Sequence, residues 1–87
     1  MTYELTLSAS ASSYIRRQPR DIQRRIARRL DQLREDPLDL AHSKPLKSRR
    51  GQRSSRIGNL RIIFTVEDVI RLVSVSEIGP RGDIYRS

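Results

Sequence analysis

Apolar and polar positions alternate from the start of the chain. Over residues 2–7, Tyr3, Leu5 and Leu7 fall on one side and Thr2, Glu4 and Thr6 on the other, which predicts a half-buried first strand. Ser8 or Ser10 then offers an N-cap to a short helix, whose stripe is Ala11, Tyr14 and Ile15 at i, i+3, i+4 spacing. Pro19 ends that helix. It also stands near the start of the next, where its missing N–H costs nothing and Asp21 in the first turn suits the helix dipole. From Asp21 to Glu35, Ile22, Ile26, Leu30 and Leu33 form one apolar stripe, and Arg24, Arg25, Arg28 and Arg29 fill the remainder. Asp36-Pro37 stops the helix. The stripe spans barely two heptads, so it predicts packing on a core rather than a coiled coil.

Residues 37–52, PLDLAHSKPLKSRRGQ, hold two prolines and a glycine and read as a connection without tight packing. Two reversals follow, at Gly58-Asn59 and Glu67-Asp68, joining the β-type runs Arg53–Ile57, Leu60–Val66 and Val69–Val75. In the middle run Leu60, Ile62, Phe64 and Val66 share one face by the period of two, and Arg61, Ile63 and Thr65 share the other. Arg61 therefore sits mid-sheet, where a guanidinium needs a partner or an anionic ligand. Val69–Val75 is apolar on both sides and predicts a strand covered on both faces. Gly79-Pro80 is expected to turn the chain out of the sheet, with Arg81 just past the strand end and Tyr85 four residues on. The fold class is α+β, one domain over residues 1–87. An N-terminal strand precedes two antiparallel helices and a three-stranded antiparallel meander, with the helices packed on one face of a single sheet.

Composition narrows the chemistry. With 87 residues there is room for one modest core and not for a large substrate cavity. The chain has no cysteine, and no apolar run approaches the roughly 20 residues that span a bilayer. The N-terminus MTYELTLSAS lacks a signal-peptide core, so a cytoplasmic protein without a membrane partner is expected. Lys and Arg number 18 against 10 Asp and Glu, a net charge of +8, and only Lys44 and Lys47 are lysines. Such an excess of arginine favours forked recognition of phosphate or carboxylate. In the connection, Lys44, Lys47, Arg49 and Arg50, followed by Arg53, are expected to track an RNA backbone. The helix arginines read chiefly as a solvated or partner-docking face, with an ordinary Asp21–Arg25 pair. His42 is the only histidine. A lone loop histidine without carboxylate or second-histidine spacing reads as neither metal ligand nor catalyst.

The strings RSSRIGNLRIIFTVED and IGPRGDIYRS, with L-x-x-D-P from Leu33 to Pro37 and KPL from Lys44 to Leu46, resemble the RelE/ParE superfamily of type II toxin–antitoxin toxins. The resemblance covers nearly the whole chain and implies a RelE-like microbial-RNase fold. Its RelE-like branch, as the resemblance implies, cleaves mRNA in the ribosomal A site by attack of the ribose 2′-OH, with no metal or cofactor. The central-strand arginine of that branch falls on Arg61, the arginine after the last strand on Arg81, the terminal tyrosine on Tyr85 and a basic strand residue on Arg56. A further strand lysine falls on Ser54, a departure. Arg61 and Arg81 suit stabilisation of phosphorane charge, and Tyr85 suits proton transfer or stacking on a base. Other readings stand beside this one. Arg61 is equally a salt-bridge partner for Glu77 or Asp83, and Arg81 with Tyr85 a terminal clasp. A ParE-like, non-enzymatic inhibitor of DNA gyrase is the second function, and a toxin fold of decayed activity the third. The implied partners are a cognate RelB-like antitoxin, acidic or amphipathic, the ribosome with its mRNA, and operator DNA only through the antitoxin complex.

Overall fold

A computed structural model describes residues 2–47 and 49–80. Its elements are β1 (Glu4–Leu7), α1 (Ala9–Arg16), α2 (Arg20–Glu35), β2 (Lys44–Pro45), β3 (Arg53–Ile57), β4 (Leu60–Glu67) and β5 (Leu72–Pro80). They form a five-stranded sheet in the order β1-β5-β4-β3-β2. Strand β1 runs parallel to β5, and the other pairs are antiparallel. The expected α+β architecture holds, with one strand more than the meander supplied.

The helices form where their signals stand. Ser8 caps α1, its Oγ accepting from the Ala11 amide at 3.0 Å. Pro19 occupies the N-cap position of α2, and Asp21 lies in that helix's first turn. Ile26 and Leu33 are fully buried on α2, with Ile22 and Leu30 packed beside them. They meet Ala11 of α1 and the inward residues Ile57, Ile62, Phe64, Val73, Val75 and Ile78 of the sheet in one apolar cluster. Burial of these side chains is the main stabilising term, at about 1.5–3 kcal/mol each.

Strand β5 breaks its alternation, with Val73, Val75 and Ile78 all inward. The cause is a bulge. Ile63 pairs with Glu77 while Phe64 pairs with Val75, so Ser76 is an extra residue in β5. Its polar groups are satisfied: Ser76 Oγ donates to the Ile63 carbonyl at 3.2 Å, and Ser8 Oγ donates to the Ser76 carbonyl at 2.8 Å.

The last strand differs from the expected Val69–Val75. Val69 and Ile70 are 97% and 64% exposed in a turn from Asp68 to Arg71, and the strand begins only at Leu72. Arg71 closes the turn at φ +55°, its amide donating to the Asp68 carbonyl at 3.3 Å. The Tyr3 hydroxyl donates to the Asp68 carboxylate, and the Arg71 guanidinium lies 4.6 Å from the Tyr3 ring centre. The bond to Asp68 holds the Tyr3 hydroxyl above its ordinary pKa; partial burial adds to this, and Arg71 opposes it. Nor does Gly79-Pro80 leave the sheet: Gly79 pairs with Arg61, and Pro80 with Leu60. Pro80 lies beyond Leu72–Val75, the part of β5 that pairs with β1, where a missing N–H is tolerated.

The connection after α2 is packed more tightly than its composition suggested. Pro37 is fully buried, and Ser43 is 4% exposed. Ser43 Oγ donates to the Pro37 carbonyl at 2.6 Å and accepts from the Arg53 guanidinium at 2.9 Å. The Asp39 carbonyl accepts from the amides of His42 and Ser43, each at 3.0 Å, and its carboxylate accepts from the Ala41 amide. A proline and two short polar side chains thus fix this turn locally.

A cationic cleft at the edge of strand β3

Register assembles the candidate site. Arg56 on β3 stands directly opposite Arg61 on β4, and Ser54 opposite Ile63. Lys44 on β2 pairs with Ser54, so the period of two brings Lys44, Ser54, Arg56 and Arg61 to the same sheet face. The neighbour of Arg61 on its other side is Gly79. Arg61 is only 4% exposed. Opposed guanidiniums repel one another, so this pairing stabilises nothing by itself.

Arg29 reaches the same place from α2. Its Nη1 donates to Ser55 Oγ at 2.9 Å and to the Arg56 carbonyl at 2.7 Å, while its Nε donates to Gln32 Oε1 at 2.8 Å. Because β2 has only two residues, the backbone of β3 beyond Ser54 is a free edge, and Arg29 occupies part of it. The turn bearing Leu40, His42 and Ser43 forms the opposite wall. Together these residues bound a cleft of about 160 Å³. Ligand pockets are usually about 300–1,000 Å³, so this one has room for a small group such as a phosphate and not for a whole nucleotide. His42 Nδ1 and Ser54 Oγ are buried and, among the described residues, have no hydrogen-bond partner. Among the described residues, no carboxylate lines the cleft.

The residues expected at the site divide. Arg56, Arg61 and Lys44 come together in the cleft. Arg49 is engaged elsewhere, its Nη1 3.0 Å from the Glu77 carboxylate, and Arg53 is bonded to Ser43. Lys47 and Arg50 are exposed and do not line the cleft. Arg81 and Tyr85 lie outside the described residues. Sequence reasoning missed Arg29 and set His42 aside. A signal for Arg29 existed: it stands three residues after Ile26 and four before Leu33, on the flank of the buried stripe. Its neighbours Arg24, Arg25 and Arg28 are exposed as a solvated face requires. Arg25 lies against the β3–β4 turn, and a Cβ at Gly58 would come within 3.3 Å of its guanidinium. Among the described residues no three His, Cys, Asp or Glu side chains gather as a metal site, and no helix is long and apolar enough to cross a membrane.

A family model described as the ParE toxin of the type II toxin–antitoxin system, parDE, matches residues 5–85. No curated protein matches the chain in sequence. Among solved structures, a chain of the RelBE2 toxin–antitoxin complex of Mycobacterium tuberculosis is 23% identical with a TM-score of 0.78, the match covering 93% of this chain and 100% of that one. The archaeal RelE–RelB complex of Pyrococcus horikoshii gives 21% identity and a TM-score of 0.80, over 94% and 98% of the two chains. YafQ of Escherichia coli gives 16% and 0.76, over 97% and 99%. These likenesses are in fold.

Proposed function

Because this chain belongs to the family of ParE toxins of type II toxin–antitoxin systems, we propose that it arrests growth as an RNA endonuclease, cutting mRNA on the translating ribosome by attack of a ribose 2′-OH on the adjacent phosphate. The observation that carries this reading is the Arg56–Arg61 pair, two cations directly opposed on a sheet and open to one small cleft. Transesterification of RNA needs positive charge where the phosphorane develops, an in-line geometry and two proton transfers. Arg61 and Arg56 supply the charge, Arg81 adds to it, and Tyr85 serves in proton transfer. Ser54 stands where the resemblance implies a strand lysine, and leaves that charge missing. Lys44, its partner across β2 and β3, restores a cation on the same face. Lys47 and Arg50, both exposed, extend the basic surface along the RNA backbone, whereas Arg49 and Arg53 are held by Glu77 and Ser43.

The partner in this reading is an antitoxin encoded alongside. The solved relatives include complexes of RelE with RelB, and an acidic or amphipathic segment would neutralise the +8 chain. Operator DNA is then reached through that complex. The test is a cell-free translation reaction on one defined mRNA, with 3′ ends mapped by primer extension. Cuts phased with codons should appear with the wild type, require translating ribosomes and vanish with Arg61→Ala. Intact mRNA beside an active ribosome rejects the reading.

One observation favours a second reading, inhibition of DNA gyrase without catalysis. Arg61 is 4% exposed, which suits a structural or small-anion role better than contact with a polynucleotide. Inhibition of supercoiling by purified gyrase, unchanged by Arg61→Ala, would establish it.

A further inference from the structure

The two ends of strand β4 carry opposite surfaces. Beyond Glu67, the turn from Asp68 to Arg71 lifts Val69 and Ile70 into solvent. Branched aliphatic residues are poor turn formers, and leaving them in water forfeits the gain of burial. The turn is nonetheless fixed. The Tyr3 hydroxyl and the Arg71 guanidinium both engage the Asp68 carboxylate, and the Glu4 amide donates to the Arg71 carbonyl at 2.8 Å. Exposed Glu67 and Asp68 adjoin the two aliphatic side chains, so this end is an apolar knob with an acidic rim on a chain of net charge +8. At the other end of β4, beside the Gly58-Asn59 turn, Ile22, Ile57 and Leu60 line a hollow of about 240 Å³ together with Gln18, Arg25 and Asn59. That is less than the roughly 300 Å³ where small-molecule pockets begin, and suits aliphatic side chains from another surface. Its rim is basic: a Cβ at Gly58 would come within 3.3 Å of the Arg25 guanidinium, and Arg56 Nε donates to the Gly58 carbonyl at 3.2 Å. Among the described residues, no carboxylate lines this hollow.

We propose that the Val69–Ile70 knob of one copy seats in the Ile22–Ile57–Leu60 hollow of the next, with Glu67 and Asp68 facing Arg25, so that free copies of the chain associate head to tail. The two surfaces match twice over, apolar against apolar at the centre and carboxylate against guanidinium at the rim. No copy can fill its own hollow. Strand β4 has eight residues at about 3.4 Å each, which holds the two turns roughly 24 Å apart. Because knob and hollow are different surfaces, the contact is heterologous, and its repetition gives open chains or rings rather than a two-fold dimer. Net repulsion between +8 chains opposes the contact at low salt. At about 0.15 M salt the screening length falls to about 8 Å, and the charges that face one another across the contact decide. Val69, Ile70, Arg25 and Leu60 lie outside the cationic cleft, so the inference stands independently of the endonuclease reading.

The chain has no cysteine, so a single thiol can be placed at either surface. Asn59→Cys and Val69→Cys chains, one of them carrying heavy nitrogen, are mixed in equal amounts at about 0.15 M salt, mildly oxidised, and their disulfide dimers sorted by mass. Random collision leaves the mixed disulfide about twice as abundant as either homodimer, whereas a seated knob should raise that ratio to about tenfold or more. The statistical ratio overturns the proposal. Sedimentation equilibrium of the wild type is run up to about 1 mM, because a contact this small is weak. The mean mass should rise with concentration and pass that of two chains. Ile70→Lys, a change at an exposed turn position that leaves the core untouched, should remain monomeric. Adding Arg25→Glu to it should restore association by setting opposite charges across the contact again. A wild type that stays monomeric or levels at two chains overturns the proposal, as does an Ile70→Lys chain that associates like the wild type or a paired variant that does not recover.

Discussion

Arg61 is costly where it lies. A guanidinium withdrawn from water forfeits solvation, and its neighbour across β3 is the like-charged Arg56. Arg61→Met is expected to stay folded while losing growth arrest. Thermal denaturation beside a plating assay checks both halves, and a variant that is both unstable and inactive would make Arg61 a structural residue. Tyr3 gives a second residue-scale test. Its hydroxyl has a raised pKa in the folded state, chiefly through the bond to Asp68, so the folded chain keeps this proton at pH values where the unfolded chain has begun to lose it. The stabilisation is complete below the ordinary tyrosine range near pH 10 and is lost as pH climbs through the raised value. Alkaline unfolding curves should show this loss in the wild type and lack that component in Tyr3→Phe.

At the scale of elements, Ser8 connects two features that look independent. It caps α1 and also holds the β5 bulge through the Ser76 carbonyl. Ser8→Ala should cost about 1–2 kcal/mol in urea unfolding, the upper part of the range for loss of a cap; a loss below about 0.5 kcal/mol would separate the two features. The cap itself was legible, as were the α2 stripe, the Gly58-Asn59 hairpin and the two faces of β4. Each is set by residues within one or two turns of each other. The extent of β5 was not legible. Its Ser76 bulge interrupts the alternation, and only the partner strand reveals which residue is extra. Val69 and Ile70 look like strand by composition but are held in a turn by Tyr3, which lies 65 residues from Asp68. The cleft was half legible for the same reason. Arg56 and Arg61 follow from the hairpin register, whereas Arg29 and His42 arrive from other elements through packing that no local pattern encodes.

For the whole molecule, the +8 charge governs how the toxin meets polyanions. Binding of the isolated chain to single-stranded RNA should weaken steeply with salt, the log–log slope gaining about 0.7 per phosphate contacted. Arg56→Ala should flatten it by about one contact, and a bound antitoxin should suppress the binding altogether. Fluorescence anisotropy across a salt series measures this, and a salt-insensitive affinity would contradict it. The parallel β1–β5 pair has a consequence of another kind. Glu4 aligns with Leu72, so the earliest strand to leave the ribosome has no partner until 68 residues later. Closing so long a span is slow and comes late, after the β3–β4 hairpin is available to form locally. A half-made copy thus displays its opposed arginines on an unfinished sheet, with one flank of β4 open. Birth order delays the hazard: a growing chain completes the scaffold behind its cleft only once the last strand has been made. A stop codon anywhere before Leu72 should leave the cell unharmed.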